Sequence, residues 1–60
     1  MKTYVIYKGF EYELLAGISR REFDLMKVTH SDMKFWISNG GGNPLLKTIS
    51  ELEFSREGVE

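Results

Sequence analysis

The 60-residue chain predicts one small all-β domain of about five antiparallel strands, closed into a barrel or folded as a strongly bent sheet. Two observations carry this. Short runs rich in β-branched and aromatic residues recur along the chain, separated by turn-forming residues. One of them, Phe10 to Ile18, alternates apolar and polar side chains with the period of a half-buried strand. The alternative is an α+β domain with one short helix at about 19–27.

The first strand is Thr3 to Lys8, and Lys8-Gly9 forms a tight turn in which glycine supplies the positive φ. In the second, Phe10 to Ile18, Phe10, Tyr12, Leu14, Ala16 and Ile18 face the core, while Glu11 and Glu13 face out. Ser19 to Val28 supports two readings. Ser19 with Glu22 fits a helix capping box, and Phe23, Leu25 and Met26 could share a helical face. Against it, Glu22-Phe23-Asp24-Leu25 alternates and Val28-Thr29 is poor helix material, which favours a third strand from Glu22 to Thr29 after a loop at 17–21. His30-Ser31-Asp32 is a turn. Met33 to Ser38 is a fourth strand with Met33, Phe35 and Ile37 inward and Lys34, Trp36 and Ser38 outward. Asn39 to Pro44 is a glycine-rich loop, and Leu45 to Ile49 is the fifth strand. Ser50-Glu51-Leu52-Glu53 is a second capping-box pattern, suiting one helical turn before Phe54 or else a short strand. The domain occupies residues 1–55, with 56–60 a frayed tail.

Five strands with one helical turn before the last resemble the order of SH3-like barrels. The hairpin Tyr7-Lys8-Gly9-Phe10-Glu11-Tyr12 also resembles short, mostly uncharacterised proteins of bacteria and their phages that open on a Y-x-G-x-x-Y hairpin. This resemblance spans the first hairpin and the strand spacing. It implies a small β-barrel and no catalytic motif.

Composition narrows the function classes. Eight Lys and Arg stand against nine Asp and Glu, a formal charge of −1, so the basic excess of a dedicated nucleic-acid binder is missing. With no cysteine there is neither a disulfide framework nor a thiolate metal site. No apolar run approaches the ~18 residues of a membrane span. A cytoplasmic protein without membrane attachment is expected. A chain this short has little apolar area to spare, so aromatics left outside weaken the fold unless a partner, such as a second copy, covers them.

Catalytic and cofactor signals are poor. Gly41 and Lys47-Thr48 sit at the offsets of a phosphate-binding loop, but Leu46 replaces its second glycine, and the chain is too short for the rest of a nucleotide-binding domain. His30 has only its own turn neighbours Ser31 and Asp32 for company, whereas triads are assembled from separate elements. Neither an enzyme, a cofactor nor a metal site is expected. The better candidates are binding residues. Glu11, Glu13, Glu22 and Asp24 would form an acidic patch across the second and third strands. Trp36 beside Lys34 suits an interface, although Phe35-Trp36-Ile37 could equally be a core run, which the scarcity of apolar area favours. Gly40, Gly41 and Gly42 offer a mobile contact loop. The expected function is a non-enzymatic protein–protein interaction module, with self-association as a homodimer its simplest form. The alternative is a barrel binding single-stranded nucleic acid on Tyr4, Tyr7, Tyr12 and Trp36, with Lys8, Arg20, Arg21, Lys27 and Lys34 meeting phosphates.

Overall fold

The computed structural model describes residues 2–58. Strand β1 (Lys2–Tyr7) buries Thr3, Val5 and Tyr7 in strict alternation. Lys8 and Gly9 both take positive φ, 52° and 85°, the twist that joins two strands through a two-residue loop. Strand β2 (Phe10–Leu14) then pairs with β1 from Tyr7↔Phe10 to Thr3↔Leu14. It ends four residues sooner than its alternation suggests. At Leu15 the chain bends, and the buried Thr3 hydroxyl donates to the Ile18 carbonyl, which anchors the departing segment against β1.

The stretch expected to form a third strand, Glu22 to Thr29, is instead part of helix α1 (Arg20–Thr29). Its capping box is complete: the Glu22 N–H donates to Ser19 Oγ at 3.2 Å, and the Ser19 N–H donates to the Glu22 carboxylate at 3.0 Å. Phe23 is 1% exposed and packs edge-on against Phe54 with ring centroids 5.8 Å apart, while Met26, three residues on, joins the same core. Leu25, which a strand would place beside Phe23, is 61% exposed. Burying one aromatic at helical spacing outweighs the four-residue alternation, and the poor helix formers Val28 and Thr29 fall at the helix end, where they do least harm.

Strand β3 (Lys34–Ser38) buries Ile37 and half-buries Phe35, and Met33 lies just before it, exposed. After the glycine loop come β4 (Leu45–Thr48) and a single 3-10 turn, η1 (Ile49–Glu51), one residue ahead of its expected place. Here the Glu51 carboxylate accepts from both the N–H and the hydroxyl of Thr48, at 3.2 and 2.7 Å. Strand β5 (Glu53–Gly58) is the true fifth strand. Residues 56–58, expected to fray, pair with Lys2 to Tyr4; the expectation for 59–60 lies outside the described residues.

All neighbours in the sheet are antiparallel, in the order β4-β3-β2-β1-β5. The sheet does not close into a barrel, because β4 and β5 end it on either side. One face is covered: Val5, Leu14 and Ile37 meet Phe23 from α1, together with Ile49 and Leu52. Among the described residues no layer covers the other face. That uncovered face decides the position of Trp36, which is 53% exposed and not in the core that the scarcity of apolar area favours.

Candidate binding face

The strand registers place the side chains of the open face in rows. Trp36 pairs with Leu46 on β4, and on its other side the Leu15 N–H donates to the Trp36 carbonyl at 3.0 Å. Leu15, Trp36 and Leu46 therefore lie side by side across three chain segments, 52%, 53% and 43% exposed. Lys34, paired with Thr48, flanks this apolar stripe on one side; Ser38, paired with Glu13, flanks it on the other.

Beyond Glu13 the face becomes a polar cluster. Glu13 pairs with Tyr4, and Arg56, the partner of Tyr4 on β5, lays its guanidinium 4.1 Å from the Tyr4 ring centroid. A β-bulge in β5 opposite Tyr4 and Val5 brings consecutive residues to one carboxylate. Ser55 Oγ donates to Glu11 at 2.7 Å, and the Arg56 guanidinium donates to both Glu11 oxygens, at 3.2 and 3.3 Å. The Ser55 hydroxyl first, and the Arg56 guanidinium second, hold the Glu11 carboxyl below its ordinary range.

Between stripe and cluster lies a cleft of about 210 Å³ lined by Tyr4, Glu11, Tyr12, Glu13, Ser38, Asn39 and Gly40. It exists because the β2–β3 ladder stops at Glu13↔Ser38. The chain leaves β3 through Asn39 and Gly40, whose φ of 91° turns the backbone away and leaves the first half of β2 without a neighbour on that side.

The residues singled out from the sequence separate into groups. Lys34, Trp36, Glu11 and Glu13 share the open face, and Gly40 lines its cleft. The N–H groups of Gly41 and Gly42 are both taken by Asn39 Oδ1 at 3.2 Å, so that loop is internally bonded. The expected four-carboxylate patch is not formed. Glu22 and Asp24 ride on α1, Glu22 in its capping box and Asp24 opposite Arg20 at 3.8 Å. The patch failed with the third strand on which it depended. His30 caps the end of α1, its Nδ1 2.8 Å from the Thr29 hydroxyl. Among the described residues no three His, Cys, Asp or Glu side chains gather where they could hold a metal ion.

Leu15 and Leu46 are not among the residues the sequence singles out, though both leave a trace in it. Leu15 is the apolar residue on the Glu11 and Glu13 side of an otherwise clean alternation, and Leu46 is out of phase with its neighbour Leu45. No protein-family model, curated protein or solved structure matches this chain. No helix of the described residues is long and apolar enough to cross a membrane.

Proposed function

We propose that this chain is a small non-enzymatic binding module that docks a protein partner on its open sheet face. The observation that carries the reading is the Leu15–Trp36–Leu46 stripe, three large apolar side chains held in register on an uncovered surface. Side chains that leave water only on binding give affinity, and an indole at the middle of such a row fits the anchor of an interface. Lys34 and Glu13 on the two flanks supply orientation. The strand order, with its 3-10 turn directly before β5, supports reading the domain as an opened relative of the SH3-like arrangement.

Nucleic acid fits the same surface less well. Lys2, Lys34 and Arg56 share it with Glu11, Glu13 and Glu53, and Arg56 is already committed to Glu11. Phosphate binding needs a concentrated positive field.

The test is capture by the full chain and by single variants. Trp36→Ser should lose at least ~30-fold in affinity for the captured protein, the scale of a hot spot worth about 2 kcal/mol. Leu15→Ser should weaken capture as well, while Leu25→Ser on the far side of α1 should leave it intact. Equal capture by the full chain and all three variants would overturn the reading. Quenching of Trp36 fluorescence by oligonucleotide at low salt, reversed by added salt, would replace it with the nucleic-acid alternative.

A further inference from the structure

We infer that the occupant of the stripe is a second copy of this chain, seated about a two-fold axis that runs along the Leu15–Trp36–Leu46 row. The inference rests on the stripe being a docking surface and adds which surface it docks. A two-fold rotation about that row lays each stripe on its counterpart and exchanges the two flanks. The Lys34–Thr48 flank of each copy then faces the Glu13–Ser38 flank of the other. Lys34 and Glu13 lie on adjacent strands, so after the rotation they are offset by about one strand spacing, ~4.8 Å, which a flexible lysine stem spans. Each Lys34 thus meets the partner's Glu13, and the pair forms twice.

Two observations favour a copy over an unrelated protein. First, the face carries no net charge, Lys2, Lys34 and Arg56 standing against Glu11, Glu13 and Glu53, and the like charges brought together on the axis are only the two exposed Lys2, whose flexible stems can splay apart. Second, among the described residues neither Lys34 nor Glu13 forms an ion pair within its own chain, unlike Glu11, which Arg56 and Ser55 satisfy. The two charges are opposite in sign and sit on opposite flanks, the one arrangement that a two-fold along the row makes complementary. The shared area is small: Leu15 lies just past the end of β2, and Lys2 and Gly58, in line with it, end β1 and β5, so a two-fold along this row superposes the rows beside the stripe and leaves most of β1 and β5 outside the contact. That places association in the weak, concentration-dependent regime.

Sedimentation of the purified full chain from about 1 µM to 1 mM should show monomer passing to dimer, with Trp36 emission shifting to the blue over the same range. Lys34→Glu and Glu13→Lys should each weaken dimerisation by tenfold or more, since each brings like charges together. Mixed in equal amounts, the two variants should associate again to within about threefold of the wild type, because both pairs in the mixed dimer are then of opposite sign. Circular dichroism establishes that each variant is folded. A chain that stays monomeric throughout, or dimers indifferent to both reversals and to mixing, would overturn the inference. A monomer that still captures another protein through Trp36 and Leu15 ends the two-fold pairing and leaves the docking surface standing. Trp36-independent capture removes the surface itself.

Discussion

Glu11 is satisfied by Ser55 and Arg56 from across the sheet, and this gives the open face an acid-sensitive tie between β2 and β5. Its carboxyl is held below the ordinary value of 4.5. The stabilisation is therefore fully present above that pH and is lost as pH falls through the lower, folded-state value. Glu51 shifts in the same direction for a local reason, its bonds to the Thr48 hydroxyl and N–H. Carboxyl-carbon NMR titration should find Glu11 titrating below 4.5 in the folded protein. It should move upward in Ser55→Ala, and Glu11→Gln should flatten the loss of stability below that pH. A Glu11 that titrates at its ordinary value in the wild type contradicts the tie. Nothing in the sequence announces it, because Glu11 and Ser55 are joined only through β1 and the bulge in β5.

At the level of elements, the first hairpin was legible because its signals are local: alternation on both sides of a Lys8-Gly9 turn. Helix α1 was half legible. Ser19 and Glu22 announced it, but Glu22 to Leu25 also satisfies the period of a strand, and four residues cannot separate the two periods. What decides is tertiary: β5 presents Phe54 to Phe23, and a helix delivers Phe23 and Met26 together while turning Leu25 outward. The contrast is measurable by urea denaturation. Phe23→Ala should cost about 3–5 kcal/mol, enough to leave much of so small a domain unfolded. Ser19→Ala should cost about 1 kcal/mol through the lost cap. Leu25→Ser should stay within about 0.5 kcal/mol of the wild type. A large effect at Leu25 would mean that its side chain is not where the helix puts it. The last strand makes a matching demand. Removing residues 56–60 takes away the pairs of Arg56, Glu57 and Gly58 with β1 and the Arg56–Glu11 bridge. That deletion should lower the urea midpoint clearly, whereas loss of a frayed tail would leave it unchanged.

For the molecule as a whole, stability and binding reside on opposite sides of one sheet. Every fully buried large side chain of the described residues belongs to the covered face, and the stripe belongs to the other. This division was hidden in the sequence because it depends on which strands become neighbours, a non-local choice. Trp36 reads as core or surface until the sheet is known to remain open and α1 to cover only one side. The two sides should therefore respond differently to substitution. Ile37→Ala empties a fully buried site and should cost about 2–5 kcal/mol at any protein concentration. Trp36→Ser with Leu46→Ser removes half-exposed side chains and should cost far less in dilute solution. If the open face is covered by a second copy, the wild-type melting temperature must rise with protein concentration, since association stabilises only the folded chain. The stripe variant, having lost the surface that associates, should melt at one temperature throughout the range. A wild type that melts independently of concentration, or a stripe variant as damaged in dilute solution as Ile37→Ala, would show that the two faces are not divided in this way.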